Sequence, residues 1–448
     1  MTCDHELQPA PGRWLAAVRA ERPDPIGPVR RATRLALGFE ADAPLVATGH
    51  QAAIWHPGIL AKDIALAGMK DADPTLATVH FIADHDVDDG GRLTLPTGTG
   101  PTLRRLEWTA LPPARGRGSR DRPASPCGPP PTGDFMPDVR AGVEAIRAAI
   151  DAERGAASAA MQLGTAAATL AGPWTGRIPR RSMSGLLETP VGEWILDRLA
   201  ADPLAAALAY DRAVDDQRRR RAAARGGRPP RAVARPLARG ATLELPLWRS
   251  TTEGRVPVFA GDRLEPATLR PRALLATALA RLAACDGFVH GLGGGIYDEA
   301  MEAWIRGWLG PELADSLAPA FVATATLRLP LEAPAIDPAA DPTRLHRMRN
   351  DPDLGRPEST LRSELLDAIA SAPPRTPARR AAFQRLRRSI DAARLANAET
   401  LEATAAAVRA QADRRSAAAI AMERTWAFPL HATTRLDDLA SGIRAAFA

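Results

Sequence analysis

Four of the eight histidines in this chain fall between positions 50 and 85: His50, His56, His80 and His85. Thr48-Gly49-His50-Gln51 closes an apolar run from Ala43 to Ala47, and Asp84-His85-Asp86 closes a second run from Val79 to Ala83. Each run reads as a buried strand that ends in imidazole, amide or carboxylate groups. In an open α/β sheet, ligands bind at the carboxyl ends of the strands. His50 and His56 could stabilise a developing phosphate or acyl charge. Asp84, His85, Asp86 and Asp88 could bind an amino group or act as base. Pro57, in His56-Pro57-Gly58, suits the first position of a helix, whose free N–H groups favour a phosphate or carboxylate. Against these readings stand plainer ones. His56 caps the helix, His50 bonds to backbone, and Asp84 to Asp89 form an acidic turn ending in Gly90-Gly91. His80, inside its run, reads as a core histidine.

A third motif, Gly291-Leu292-Gly293-Gly294-Gly295, joins a short strand, Gly287 to His290, to a helix expected from about Asp298 to Leu309. A strand-to-helix glycine loop is the setting of phosphate cradles, although this one is neither a P-loop nor a G-x-G-x-x-G pattern. Tyr297 and Asp298 would contact ribose or a carboxylate; close helix–sheet packing is the alternative. A different use of the polar groups would be a zinc or manganese hydrolase built on His50, His56, His85, Asp86 and Asp88. No short-spaced motif such as H-E-x-x-H supports it, so no firm metal is expected.

The elements that must position these groups alternate. Leu45 to Ala47, Ile59 to Met69 and Thr78 to Ala83 read as a βαβ unit, which demands a parallel sheet. Before it, Arg13 to Leu37 has scattered helical spacing. After it, Arg115 to Gly133 reads as an exposed loop, and Pro137 to Ala171 and Thr189 to Leu208 as helical. Strands are expected at Ala241 to Leu247, Val256 to Phe259 and Phe321 to Leu329, with a helix from Arg270 to Ala284. A connector from Pro330 to Pro357 leads to Ala378–Glu423, which lacks Gly and Pro and predicts one long helix. Its thin stripe (Phe383, Leu386, Ile390, Ala393) suits a helical hairpin or a dimer contact. The implied boundaries are 1–135 and 241–335 for two halves of a core, 136–240 for an inserted helical region, and 336–448 for the connector and C-terminal helices.

Composition narrows the class. The 448 residues are 45% hydrophobic and only 4% aromatic, as in an ordinary soluble protein. No apolar run is long enough to cross a membrane, and the first residues lack a secretory pattern. Cys3, Cys127 and Cys285 are far apart and odd in number, which argues against a disulfide framework; a cytoplasmic protein is expected. Nine arginines between Arg218 and Arg239 exceed the whole net excess of +6. That run, with Gly226-Gly227 and Pro229-Pro230, reads as a solvated linker, and no specific nucleic-acid partner is expected.

Taken in order, the three motifs resemble the bacillithiol-biosynthesis cysteine-adding enzymes, a family of cysteine ligases. Those proteins carry a Gly-(Gln/His)-Gln segment, a Gly-Pro turn and a helix, then an apolar strand ending in Glu-Asp-His-Asp. Leu-Arg-Pro, a helix, a strand and a Gly-Gly-Pro-Gly-Glu loop follow, and here Leu269-Arg270-Pro271, a helix, Phe288-Val289 and the Gly291 to Gly295 segment stand in that order. Gly49, Gln51, Asp84, His85, Asp86, Gly291 and Gly294 match the family, and His50 matches the members with His there. The turn reads His56-Pro57-Gly58 instead of Thr-Gly-Pro, Lys62 falls slightly earlier than the family's lysine, and Gly295 replaces a Glu. The resemblance implies a Rossmann-like parallel sheet akin to the class I aminoacyl-tRNA-synthetase core, an inserted helical region and a C-terminal long-helix region that forms a homodimer. It implies addition of cysteine, or a related amino acid, to a small-molecule acceptor, with ATP or another nucleotide activating a carboxyl group. His50, His56, His85 and Asp86 would then be catalytic. Gly49, Gln51, Asp84, Asp88, Tyr297 and Asp298 would bind substrate, and His290, Gly291, Gly293, Gly294 and Gly295 the nucleotide. A catalytically inactive binding or assembly relative is the remaining alternative.

Overall fold

Parallel pairing requires a crossover between consecutive strands, and the apolar runs of this chain are separated by segments long enough to supply them. A computed structural model describes residues 4–224, 234–237, 242–355 and 360–448. Cys3, Ala241, Gly226, Gly227, Pro229, Pro230 and four arginines of the arginine-rich run (225, 228, 231 and 239) lie outside the described residues. Eleven strands are described: β1 (Asp4–Gln8), β2 (Leu45–Gln51), β3 (Ala77–Ala83), β4 (Arg92–Thr97), β5 (Arg104–Thr109), β6 (Arg180–Ser182), β7 (Glu244–Thr251), β8 (Gly254–Phe259), β9 (Leu269–Pro271), β10 (Gly287–His290) and β11 (Ala320–Thr326). The protein is α/β, with a six-stranded sheet in the order β1-β11-β10-β2-β3-β6. Every pairing in it is parallel except that of β1 with β11.

Side chains alternate across each strand. Leu45, Ala47, Val79, Phe81 and Phe288 join an apolar cluster with Ile195, Tyr210, Leu279 and Trp304 from helices Pro190–Ala201, Pro203–Ala224, Ala273–Leu279 and Leu292–Leu309. Helix Pro57–Ala72 is buried from Leu60 to Met69, as expected of a helix that is apolar almost all round. It packs against β2, β3 and β11, and helix Thr433–Ala445 packs against it in turn. At the foot of the sheet, Asp286 ties β10 to β2: Leu45 N–H donates to its Oδ2 (2.9 Å) and Asp286 N–H donates to Leu45 O (2.6 Å). Arg34 (2.7 Å) and Arg22 (3.3 Å) converge on the same carboxylate.

The chain forms two compact units. The first holds Met1–Leu95, Leu106–Leu329 and Arg424–Ala448, and the second Pro96–Arg105 and Pro330–Glu423. The expected region 336–448 therefore divides. Its last stretch belongs to the first unit because Leu436, Leu439 and Ile443 are buried there and Phe428 N–H donates to Trp55 O (2.6 Å).

Several expected elements differ. β1 was not anticipated, because its polar sequence carries no apolar alternation. The strands expected near 241–247 and 256–259 are β7 and β8, which form a separate antiparallel sheet with β9 and lie outside the parallel one; Arg270 is part of β9, and the helix begins only at Ala273. The helical stretch 137–171 is two helices, Pro137–Ala152 and Ala159–Thr175, the second started by Ser158, whose hydroxyl accepts the Met161 N–H. In the second unit the single long helix is three: Pro377–Ala396, Ala398–Ala410 and Ala412–Ala421. Asn397 turns its side-chain amide onto Ala393 O (2.9 Å) and Gln411 Oε1 accepts from Asp337 N (2.9 Å), so polar side chains interrupt the helix where neither Gly nor Pro is present.

Asp286→Ala would leave buried guanidinium groups without their carboxylate. Denaturant unfolding should show a loss of about 3 kcal/mol, and a loss below about 1 kcal/mol would mean that the cluster is peripheral to stability.

Candidate functional site

From β2 the chain crosses to β3 and then β6 on one side, whereas β10 lies on the other side of β2 and leads to β11. The strand order thus reverses between β2 and β10, and such a switch point opens a crevice at the carboxyl ends of both strands. Thr48-Gly49-His50-Gln51 and His290-Gly291 occupy those ends. One step beyond the Val289–Thr48 pair, His290 stands beside Gly49, on the face of Phe288. A Cβ at Gly49 would come within 3.1 Å of Phe81 O, 3.3 Å of Met183 Cε and 3.4 Å of Phe288 Cζ. His50 therefore projects to the opposite face from His290, and the sheet divides the histidines into two groups.

On the His50 face, helix Pro57–Ala72 supplies the surroundings. His56 is its N-cap, and His56 Nδ1 accepts the Gly58 N–H (3.1 Å); this is the plainer of the two roles expected for it. His50 Nδ1 lies 3.4 Å from Gln51 O, and burial and the nearby Lys62 charge hold its pKa well below the usual imidazole value. A neutral ring with Nδ1–H toward Gln51 O leaves the Nε2 lone pair available to accept a proton. Lys62 is almost fully buried, donates to Gly49 O (2.5 Å), and has its pKa lowered by burial to about 8. Beneath them, His80 is the core histidine expected: its Nδ1 meets Asp63 Oδ1 (2.7 Å), its ring stacks on Trp55 (4.6 Å between centroids), and Arg180 donates to Asp63 Oδ2 (2.7 Å). These two donors hold Asp63 ionised, far below the usual carboxylate range, whereas burial lowers His80 to about 4.

The acidic segment separates into positioning and open groups. Asp84 is buried: Ser184 N–H (2.9 Å) and Ser182 Oγ (2.5 Å) donate to its two oxygens. It fixes the turn after β6, a structural role beside the binding role expected of it. Asp86 and Asp88 both accept from Gln51 Nε2 at 2.8 Å. With Ala83, Asp89 and Arg92, these three residues line a cleft of about 200 Å³. The His85 ring is buried and its Nδ1 has no hydrogen-bond partner, while Arg255 Nη1 donates to His85 O (2.7 Å).

The glycine segment is not a loop. Helix Leu292–Leu309 begins directly after Gly291, and the Gly294 N–H donates to Gly291 O (2.9 Å). Gly293, Gly294 and Gly295 thus form the first turn, and a Cβ at Gly294 would run into the His290 ring. Asp298 is buried, with Oδ2 2.6 Å from His290 Nε2 and 3.0 Å from Arg281 Nη1, and Tyr297 packs on the apolar cluster. Asp298 is thus turned inward, and Tyr297 is partly buried; both have packing roles, the alternative expected for this segment. What remains at the crevice is a helix N-terminus beside Gly291 and Gly293, where a Cβ at 293 would meet nothing within 4 Å.

Three participants escaped sequence reading. Lys62, set against the family's lysine but given no role, had a signal, a lysine among the apolar residues of its helix. Arg255, carried to the strand ends by β8, and His431 had none, because the chain brings them back from far downstream. His431 is buried, its Nε2 has no hydrogen-bond partner, and burial lowers its pKa to about 4. Among the described residues no three His, Cys, Asp or Glu side chains are gathered in an arrangement that could hold a metal ion.

Stability should fall with acid in a defined window. His80 has a folded pKa of about 4 against an ordinary 6.5, so its contribution is complete above pH 6.5. As pH falls toward 4, the unfolded chain binds the proton first and up to ~3 kcal/mol is lost; His431 acts in the same direction. Urea midpoints between pH 4.5 and 7 should show this slope, and His80→Asn should flatten it; a flat wild-type profile would contradict a neutral buried His80. In comparisons with known proteins, the chain matches no family model and no curated protein.

Proposed function

We propose that the chain is a carbon–nitrogen bond-forming ligase that joins cysteine, or a related amino acid, to a small-molecule acceptor, using the crevice between β2 and β10. The observation that carries this reading is the coincidence of the topological switch point with both polar strand ends. The resemblance in sequence supplies the reaction type, and the parallel sheet is compatible with the Rossmann-like, synthetase-like core that it implies. On this reading the protein is cytoplasmic and pairs through its C-terminal helices.

Amide formation from a free carboxylate needs an activated acyl group, which ATP or another nucleotide supplies when bound. The first turn of helix Leu292–Leu309, with Gly291 and Gly293 bare of side chains, fits the phosphates. Each remaining residue has a task its surroundings allow. Asp86 and Asp88, oriented by Gln51, receive the ammonium group of the amino acid. His50, kept neutral, takes the proton that the attacking amine loses as the C–N bond forms. Lys62 places positive charge behind the Gly49 backbone, where negative charge develops on the acyl group. His56, engaged as a helix cap, orients the N-terminus of its helix.

Purified protein given ATP, cysteine and glucosaminyl malate should release phosphate or pyrophosphate and yield an acceptor heavier by one cysteinyl group. No nucleotide consumption and no binding of thiol compounds across a panel of amino acids and acceptors would defeat the reading. Lys62→Met separates function from stability. Because burial lowers the amine from 10.5 to about 8, the charged form is a burden at pH 7. The variant should unfold ~1–3 kcal/mol later while losing turnover. A variant that is both less stable and fully active would assign Lys62 to the fold alone.

A further inference from the structure

A second cavity, of about 220 Å³, lies along the chain between Leu111 and Ser125 and reaches Ala159, at the start of helix Ala159–Thr175. Arg115, Arg117 and Arg122 line it. Arg122 is only 8% exposed. Its Nη1 donates to Pro112 O (2.7 Å), but its Nε and Nη2 are buried without a hydrogen-bond partner. Arg117 Nε and Ser125 Oγ are buried and unpartnered as well. Asp89 Oδ1 forms a long ion pair with Arg122 Nη1 at 4.0 Å, which leaves Nε and Nη2 without a hydrogen bond. A buried guanidinium with idle donors carries a large desolvation cost unless an anion meets it.

The surroundings are built to hold these donors in place. Gln162, on the helix, donates to Ser125 O (2.6 Å) and accepts from Ser125 N (3.0 Å). Ala159 N–H donates to Arg122 O (2.8 Å), which fixes Arg122 at the positive end of a 17-residue helix. Three guanidinium groups and a hydroxyl make a lining rich in donors, and the guanidinium fork matches phosphate oxygens two at a time. The volume is below the ~300 Å³ at which drug-sized pockets begin, so the site suits a small anion or the anionic end of a larger molecule.

We propose that this cavity is an anion site for a phosphoryl group, either inorganic phosphate or the phosphate of a small monoester. It does not rest on the ligase reading. Its chain segment touches the acidic strand end nonetheless: Ser119 N–H donates to Asp86 O (3.2 Å) and Arg120 N–H to Asp84 O (3.2 Å). An anion held by Arg122 therefore stiffens the segment that supports Asp84 to Asp86.

The test is thermal stabilisation and calorimetric binding with the full chain, using inorganic phosphate, glycerol phosphate and malonate against sodium chloride at equal ionic strength. Saturable binding of phosphate or of the monoester is expected, with half-saturation below ~1 mM. Tighter binding of glycerol phosphate identifies a monoester as the ligand, and tighter binding of phosphate identifies the free ion. Arg122→Gln should abolish binding. Arg115→Ala, at an exposed position and leaving the fold undisturbed, should weaken it ~5-fold. The site is overturned if chloride stabilises equally, if malonate binds more tightly than both phosphates, or if Arg115→Ala binds phosphate as wild type does.

Discussion

Parallel pairing is the constraint from which the rest of this structure follows. It places the carboxyl ends of β2, β3, β6, β10 and β11 along one edge of the sheet, and it obliges each connection to return across a face. Because the connections leave β2 and β10 in opposite directions, the space between them is left uncovered at that edge. Gly49 follows from this: at the carboxyl end of β2 a Cβ would meet Phe81 O, Met183 and Phe288 at distances that force the neighbours to shift. The buried helix Pro57–Ala72 follows as well, since a crossover on an inner strand has the sheet on one side and another helix on the other.

Charge is handled differently at the two ends of the sheet. At the foot, Asp286 gathers arginines and backbone, and its whole role is to hold strands together. Toward the opposite edge, charged groups occur in layers. Asp63 with Arg180 and His80 forms a satisfied inner layer, Asp84 holds a turn, and only then come His50, Gln51, Asp86 and Asp88 with capacity to spare. The inner layer fixes the strand ends from which the hydrogen-bonded group of Gln51, Asp86 and Asp88 projects.

The sequence made the central βαβ unit legible because two apolar runs and a helix between them leave few alternatives. The polar strand ends were legible for the same reason. The remainder was hidden for physical causes. Four glycines among five residues argue for a loop on intrinsic propensity, yet tertiary packing of His290 over Gly294 makes them the start of a helix. The packing of Tyr297 and Asp298 is a consequence of that helix and invisible without it. Asn397 and Gln411 break a stretch that composition marks as continuous, through bonds to carbonyl and amide groups that no local pattern announces. His431 and Arg255 depend on where distant segments return.

Lys62 and Lys70 are the only lysines in the chain, and they lie on one helix in opposite settings, Lys62 enclosed and Lys70 exposed. Amine-directed labelling reagents therefore meet an internal reference and a concealed reporter within the same element. Lys70 is modified at the pace of the reagent, whereas Lys62 becomes reachable only when its helix lifts from the sheet, an event governed by local opening free energy. The ratio of the two labels would time that opening, giving the protein a built-in clock for breathing at its strand ends.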